Sequence, residues 1–215
     1  MRSGILGGSF NPPHRAHLAL ARAALDTRRI DRVVFIPAAL PPHKKKPAET
    51  DAPTRLAMTR ILCAGDPRLA VDGLELDRSG PSFSADTARQ LKADHPGDEY
   101  RLIIGSDMAL SFGSWREPAV ILDLAPPLVA ERPGSPLPEN GLPFPGLTPE
   151  QTGVLRSGRF FMAPIDLSST MIRELLARGI DDREALRYLT PGVLRFIRKN
   201  RLYESPPAAR SAQPQ

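Results

Sequence analysis

Two histidines stand just after a turn rich in glycine and proline near the start of the chain. The stretch 7–17 reads GGSFNPPHRAH, which places His14 and His17 three residues apart. Residues with this spacing lie on the same side of a helix, so both imidazoles are predicted to face one ligand. The free N–H groups and the positive dipole end of a helix start attract anions. The pattern therefore predicts a site for more than one phosphate group.

The backbone around these histidines is predicted to approach its ligand closely. Gly7 and Gly8 have no side chain to hold a ligand away, and glycine also tolerates a positive φ. Pro12-Pro13 suits a turn into the first helical position, where a missing N–H group is no loss. A metal site is the weaker interpretation, because no third ligand stands nearby and the i, i+4 spacing of a zinc helix is absent. The GxxxxGK[ST] pattern of ordinary ATPases is absent as well.

A second candidate anion site lies far along the chain, in the stretch 167–176, which reads LSSTMIRELL. Ser168 or Ser169 is a natural N-cap, and the apolar residues at 172, 175 and 176 mark a buried helical face. Hydroxyl and N–H groups at this helix start, with Arg173 one turn further on, favour phosphate. The plainer alternative is a capped helix without any ligand.

The elements that must position these groups alternate along the chain. Apolar runs without polar alternation are typical of strands buried on both faces, and they are predicted at 5–6, 33–36, 70–71, 102–104, 128–130 and 160–162. Helices are predicted at 14–25, 55–64 and 84–93, with a terminal helix after Thr190-Pro191. This order predicts an α/β fold, a doubly wound (Rossmann-like) parallel sheet with helices on both faces.

One domain is predicted to span residues 1–203. Within it, a proline-rich segment at about 126–149 is expected to be an irregular excursion without regular secondary structure. Residues 204–215 contain no large apolar side chain and are expected to be disordered.

Composition narrows the class of partner. The net charge of +5 favours an anionic partner, and small phosphorylated molecules fit it as well as nucleic acid does. A basic nucleic-acid-binding module is the alternative from another class, but aromatic content is 6% and no basic stripe is evident, so no nucleic acid is expected. No apolar run suits a membrane span or a secretory signal. Cys63 is the only cysteine, which excludes an intrachain disulfide and favours a reducing, cytoplasmic setting.

Both motifs resemble signatures of the HIGH-motif nucleotidyltransferase superfamily. The stretch 7–17 is similar to GxFxPxHxGH, with Ala16 in place of a glycine, and 167–173 is similar to ISSTxIR, with Leu167 in place of isoleucine. The resemblance implies an enzyme that transfers AMP from ATP, with Mg²⁺ on the ATP phosphates. The implied catalytic residues are His14, His17 and Arg173, and the implied ATP-binding residues are Gly8, Ser9, Phe10, Gly105, Asp107, Ser168, Ser169 and Thr170.

The region between the motifs resembles the acceptor site of the bacterial nicotinate-nucleotide adenylyltransferases. The stretches PAALPPHK at 37–44, GPSFSADT at 80–87 and IIGSD at 103–107 are similar to their PxxxPPHK, GPSYTxDT and IIGxD segments. The resemblance implies that backbone amides, with no acidic side chain, meet the nicotinate carboxylate and that a tryptophan stacks on the pyridine ring. The implied acceptor-binding residues are His43, Lys44, Phe83, Ser84 and Trp115, with Phe83 and Ser84 in place of the usual Tyr and Thr.

Each of these residues has a plainer alternative. His43 and Lys44 can form a solvated basic turn, Trp115 can be a core residue, and Asp107 can be only a helix N-cap. The resemblance implies that ATP and nicotinate mononucleotide give the dinucleotide and pyrophosphate, in NAD biosynthesis. Nicotinamide mononucleotide and phosphopantetheine stay open as alternative acceptors. The oligomeric state also stays open, with a homodimer as one option.

Overall fold

Six parallel strands form one sheet within residues 1–40, 50–131, 137 and 144–204, the part of the chain that this computed structural model describes. Most strand residues are buried, because helices cover both faces of the sheet. The strands are β1 (Arg2–Gly8), β2 (Arg32–Pro37), β3 (Leu69–Val71), β4 (Glu99–Gly105), β5 (Leu128–Glu131) and β6 (Arg159–Phe161).

The strand order is β3-β2-β1-β4-β5-β6, and all neighbouring pairs are parallel. Ile5 of β1 aligns with Val34 of β2 on one side and with Leu102 of β4 on the other. The chain thus winds in one direction from β1 to β3 and in the other from β4 to β6. Loops that leave β1 and β4 in opposite directions open a crevice between these two strands. The predicted doubly wound, Rossmann-like fold is confirmed.

Helices lie on both faces of the sheet, and none in the described part of the chain is long and apolar enough to cross a bilayer. The helices are α1 (Arg15–Asp26), α2 (Ala52–Cys63), α3 (Ser84–Asp94), α4 (Ser106–Leu110), α5 (Pro118–Leu124), α6 (Pro149–Ser157), α7 (Ser169–Ala177), α8 (Asp182–Ala185) and α9 (Pro191–Lys199), with a 3₁₀ turn at Phe112–Ser114. Side-chain caps explain several starts: Asp51 accepts the N–H of Thr54, and Ser168 accepts that of Met171.

Alternate residues of the strands enter two hydrophobic cores. Leu6 and Phe35 pack on one face with α1, α2, α7 and α9, whereas Ile5 and Ile36 pack on the other face with α3, α5 and α6. Burial of each such side chain stabilises the fold by about 1.5–3 kcal/mol. The sheet is therefore packed on both faces, which fixes the positions of the strand ends from which the loops leave.

The sequence prediction missed the helices between β4 and β6. Both α5 and α6 begin with a proline, a residue that the sequence analysis associated with loops but that suits the first helical position. Within the segment 126–149, the strand predicted at 128–130 is confirmed as β5, and Phe144 and Leu147, expected in an irregular excursion, are buried. Residues 132–136 and 138–143 of that segment, and the tail 205–215, lie outside the described residues.

Candidate active site

The crevice between β1 and β4 opens into a cavity of about 550 Å³ at the carboxyl ends of these strands. This is the place where doubly wound sheets bind ligands, and the volume suits a small molecule. One wall consists of residues 6–9 at the end of β1 and residues 103–105 at the end of β4. Gly105 is the N-cap of α4, and Asp107 lines the cavity from the first turn of that helix. Asp107 is thus not the N-cap that the plainer alternative supposed.

Phe10 shapes the turn after β1. Its side chain is fully buried, and its φ of 45° lies in the left-handed region. A Cβ atom on Gly8 would lie only 3.1 Å from the Phe10 ring, so the glycine lets this ring pack against the strand end. Neither Gly7 nor Gly8 has a positive φ, which corrects the expectation that the glycines supply that conformation. The turn needs glycine for close packing, and Phe10 carries the backbone strain.

His14 and His17 stack on each other at the start of α1, with ring centroids 3.7 Å apart. His14 is the N-cap, and its backbone N–H donates to Nδ1 of His17 at 3.1 Å. The Phe10 ring also contacts His17 edge-on, with a centroid distance of 4.9 Å. Because Nδ1 accepts a hydrogen bond, a neutral His17 carries its proton on Nε2. The prediction that the two imidazoles lie on the same side is confirmed.

A second cavity, of about 240 Å³, shares His17 and Leu20 with the first. Its other lining residues come from the start of α1, with His14 and Ala16, from the start of α7, with Ser168 and Ser169, and from the segment 162–167 between β6 and α7. Two helix starts that are far apart in sequence therefore converge on one space. His17 lies in the wall between the two cavities.

Side chains of α7 also bind the turn that follows β1. Ser169 Oγ donates to the carbonyl oxygen of Pro12 at 3.0 Å, and Arg173 donates to that of Asn11 at 2.9 Å. Thr170 is exposed, and neither it nor Arg173 is among the described residues that line the second cavity. The structure thus brings Ser168 and Ser169 to the cavity and places Arg173 against the turn behind it.

Aromatic and hydroxyl-bearing side chains form the other end of the larger cavity. Phe83 is the N-cap of α3 and Ser84 is its first residue, and both line the cavity together with Trp115. Trp115 is half-buried and packs on the ring of Phe112, with centroids 5.2 Å apart. Trp115 thus packs on a core residue, as the plainer alternative expected, and also lines the cavity, as its predicted role in acceptor binding requires.

A buried carboxyl group, that of Glu75, also lines the larger cavity. The hydroxyl of Thr87 donates to it at 2.5 Å, and the hydroxyl of Ser82 donates to it as well. Ser82 Oγ in turn accepts the N–H of Ala39 at 3.0 Å. Burial raises the pKa of Glu75, although both hydroxyl donors lower it in part. The cavity that contains the predicted acceptor-binding residues thus also contains a carboxyl group, and Glu75 lies in an irregular stretch where no sequence pattern marked it.

Arg55 of α2 is a second functional candidate that the sequence did not reveal. Its guanidinium is buried and donates to the carbonyl oxygens of Ser9 at 2.6 Å, Ala38 at 2.7 Å and Thr50 at 3.2 Å. Burial lowers the pKa of this guanidinium. Because Ser9 and Ala38 both line the larger cavity, Arg55 ties the turn after β1 to the segment after β2.

The remaining predictions concern His43, Lys44 and the metal ion. His43 and Lys44 lie outside the described residues. Within the described part of the chain, no group of three His, Cys, Asp or Glu side chains is arranged to hold a metal ion.

Comparison with known proteins places this geometry in a family. Residues 5–175 match the family model of cytidylyltransferase-like proteins. A protein of Geobacter metallireducens named "probable nicotinate-nucleotide adenylyltransferase" is 41% identical and aligns over 94% of this chain and 98% of its own length. A protein of Geobacillus thermodenitrificans with the same name is 35% identical over 93% of this chain and 85% of its own length.

The solved structures agree at the level of the fold. The Plasmodium falciparum nicotinic acid mononucleotide adenylyltransferase complexed with NaAD superposes with a TM-score of 0.72 over 94% of this chain and 97% of its own. Its sequence identity of 20% extends the likeness no further than the fold. The family model and the relatives of about 40% identity together carry the assignment. The chain belongs to the cytidylyltransferase-like family and, within it, to the nicotinate-nucleotide adenylyltransferases, a group of nucleotidyltransferases.

Proposed function

We propose that this protein transfers the AMP part of ATP to the phosphate of nicotinate mononucleotide, giving nicotinate adenine dinucleotide and pyrophosphate. The position of His17 carries the proposal, because its ring lies in the wall shared by the two cavities. ATP phosphates in the smaller cavity and an acceptor phosphate in the larger one would meet at this ring. Membership of the nicotinate-nucleotide adenylyltransferase family supports this choice of acceptor.

The reaction depends on positioning more than on proton transfer. An oxygen of the acceptor phosphate is already anionic and attacks the α-phosphorus of ATP. The bond from that phosphorus to the oxygen bridging to the β-phosphate breaks, and pyrophosphate leaves with the electron pair. The enzyme must align two polyanions and stabilise the charge on the phosphate oxygens, which oriented donors do well. We assign the Nε2–H group of His17 to the α-phosphate.

The other predicted residues take roles that follow from their places. His14 and the backbone N–H groups of residues 8–10 would bind ATP phosphates at the start of α1. Ser168, Ser169 and Thr170 would bind the β- and γ-phosphates from α7, with Arg173 holding that helix start against Asn11. On the remaining surfaces, Gly105 and Asp107 would contact the adenosine, and His43, Lys44, Phe83, Ser84 and Trp115 would contact the acceptor.

Mg²⁺ is proposed to accompany ATP and would be held mainly by the nucleotide's phosphate groups rather than by a protein cage. The ion would neutralise charge on the leaving pyrophosphate. Removal of divalent cations with EDTA should abolish turnover, and added Mg²⁺ should restore it. Full turnover in EDTA would contradict this part of the proposal.

Side-by-side pyrophosphate-release assays test the acceptor. We expect nicotinate mononucleotide to be used best, with nicotinamide mononucleotide and phosphopantetheine as the competing acceptors. A higher kcat/KM with either competitor would replace the proposed acceptor. ATP with Mg²⁺ should also raise the melting temperature while oligonucleotides should not, since a nucleic-acid-binding module would show the reverse.

The proposal extends to the organisation of the chain. Residues 1–203 would form one catalytic domain, because both motifs and both cores lie within them. The use of ATP, together with a lone and buried thiol at Cys63, favours action in the cytoplasm.

A further inference from the structure

A tight turn at residues 144–147 ends the proline-rich segment just before α6. Pro145 and Gly146 occupy its two central positions, and the N–H of Leu147 donates to the carbonyl oxygen of Phe144 at 3.1 Å. Gly146 has a φ of 77°. Proline followed by a glycine with positive φ is the pattern of a type II turn. The proposed reaction does not by itself give this turn a role.

The turn is anchored in the core of the sheet. Phe144 is buried in the core that contains Ile5, and its N–H donates to the hydroxyl of Thr152 in α6 at 3.3 Å. Thr148, directly after the turn, caps α6 with its side chain, and Leu155 of that helix is buried in the same core. The turn and α6 are therefore fixed together against one face of the sheet.

The backbone of this turn touches the backbone of the 3₁₀ turn at Phe112–Ser114. A Cβ atom on Gly113 would lie only 2.1 Å from the carbonyl oxygen of Pro145. A Cβ atom on Gly146 would lie 3.3 Å from the backbone of Gly113. Two glycines thus let the main chains meet directly. No flexible side chain stands between them to absorb a shift, so a displacement of one turn is passed on to the other.

The 3₁₀ turn leads directly to Trp115. The N–H of Trp115 donates to the carbonyl oxygen of Phe112 at 3.0 Å, and its ring packs on that of Phe112. Phe112 and Phe144 are buried in the same core. Ser114 and Trp115 line the larger cavity, whereas none of the residues 144–147 does. The turn at 144–147 therefore supports, from behind, the part of the cavity wall that bears Trp115.

We propose that the turn at 144–147 is a positioning element of the acceptor site. Through the contact between Gly146 and Gly113 it sets the place of the backbone that carries Trp115, and hence the place of the indole ring in the cavity. This inference rests on the proposed function, since it assumes that Trp115 contacts the acceptor.

The test compares Gly113→Ala with the matched control Gly158→Ala. Each variant presses one methyl group against a proline carbonyl oxygen, because a Cβ atom on Gly158 would lie 1.8 Å from that of Pro127. Gly158 follows α6 and does not line the cavity. We expect Gly113→Ala to raise the KM for nicotinate mononucleotide by about tenfold, because a misplacement of about 1 Å can cost up to about 100-fold. The KM for ATP should stay unchanged, and Gly158→Ala should lower the melting temperature without changing either KM.

The fluorescence of Trp115 gives a second readout that does not depend on activity. Trp115 is the only tryptophan, so the emission maximum and its quenching by acrylamide report on this ring alone. Both should change in Gly113→Ala and stay as in the wild type in Gly158→Ala. Gly146→Ala, with a looser contact of 3.3 Å at a φ of 77°, should change both in the same direction but less. It decides the test if Gly113→Ala does not fold.

Three results would overturn the proposal. Unchanged fluorescence and an unchanged acceptor KM in the folded variants would mean that the turn does not place Trp115. Equal rises of KM for both substrates, or the same changes in Gly158→Ala, would assign the effect to a general loss of order. A changed fluorescence with an unchanged acceptor KM would mean that the place of the ring does not matter for binding. If the wild-type protein does not use nicotinate mononucleotide, the proposed function itself fails, and that outcome is seen before any variant is made.

Discussion

At the scale of single residues, the His17 ring is oriented by its neighbours before any ligand binds. The N–H of His14 fixes Nδ1 as an acceptor, and the rings of His14 and Phe10 pack against the imidazole. A donor held in this way loses little conformational entropy when it binds phosphate, which is the condition for strong electrostatic stabilisation. The spacing of the histidines predicted their common side but not the hydrogen bond between them.

The role of His17 predicts a selective loss of turnover. His17→Ala should lower kcat by about 10²–10³, the scale of one lost oxyanion donor, and should change ATP binding much less. The control His95→Ala removes an exposed histidine that follows α3 and should leave kcat unchanged. Steady-state rates of pyrophosphate release with saturating ATP measure the effect. A kcat within twofold of the wild type would refute the assignment to the α-phosphate.

At the scale of elements, the site depends on how helices are fastened to the strand ends. Arg55 reaches from α2 to carbonyl oxygens on two separate strand-end segments, at Ser9 and Ala38. Because these partners are backbone carbonyl groups, no acidic side chain in the sequence around Ser9 or Ala38 indicates that Arg55 binds there. Buried arginines without a carboxylate partner are rare, since burial of a charge is costly unless its donors are satisfied.

Loss of the Arg55 guanidinium should damage stability and substrate binding together. Arg55→Met keeps an unbranched apolar stem but leaves buried carbonyl groups without donors, so the free energy of unfolding should fall by about 2 kcal/mol or more. The KM for both substrates should rise, because the two walls of the cavity lose their link. Arg60→Met, on an exposed position of the same helix, should change stability by no more than about 0.5 kcal/mol. Urea unfolding with parallel kinetics measures both effects, and an Arg55→Met protein with wild-type values would contradict this account.

The sequence predicted elements best where local pattern and tertiary role agree. The start of α7 was predictable because Ser168 caps an amphipathic helix, and β4 was predictable from its apolar run. The helices α5 and α6 were not predictable, because the sequence alone does not distinguish a proline at a helix start from a proline in a loop. The difference depends on how the residues after the proline pack. Glu75 could not be singled out from the sequence either, since its hydrogen bond comes from Thr87 on another element.

Asp66, between α2 and β3, predicts a pH-dependent stability for this connection. Hydrogen bonds from the Arg68 side chain, at 3.0 and 2.9 Å, hold the pKa of Asp66 at about 2. Since this value lies below that of an unfolded aspartate, the contribution is complete above about pH 4 and is lost as pH falls towards 2. Asp66→Asn should therefore lower stability by about 1 kcal/mol at neutral pH, allowing for the solvent exposure of Arg68.

Chemical unfolding at a series of pH values measures this effect. The difference between Asp66→Asn and the wild type should shrink as pH falls from about 4 to about 2. Asp77→Asn, at an exposed position, is the matched control and should show no such trend. A constant difference down to pH 2 would show that Asp66 stabilises this connection by something other than its charge.

At the scale of the whole molecule, segments from the C-terminal part of the chain contact the turn after β1 and the start of α1. The hydroxyl of Tyr203 donates to the Asn11 side chain at 2.6 Å, within the turn that follows β1. Arg15, at the start of α1, donates to the carbonyl oxygens of Leu186 and Leu189. The turn after β1 and the start of α1 are therefore both supported by segments from the C-terminal part of the chain. Such long-range contacts cannot be inferred from either motif alone, although both motifs depend on them.

The contact between Tyr203 and Asn11 predicts where the functional domain ends. A chain truncated after Glu204 should keep the melting temperature and turnover of the full chain, because Tyr203 and its contact with Asn11 remain.

Tyr203→Phe should instead lower the free energy of unfolding by about 1–2 kcal/mol, since it leaves the side-chain carbonyl of the buried Asn11 without its donor. It should also raise the KM for ATP, because the turn after β1, which we propose to bind the ATP phosphates, loses a support. Tyr188→Phe, at a half-buried position near α8, is the matched control and should change neither value. Loss of activity on truncation after Glu204, or a Tyr203→Phe protein indistinguishable from the control, would show that the domain ends elsewhere.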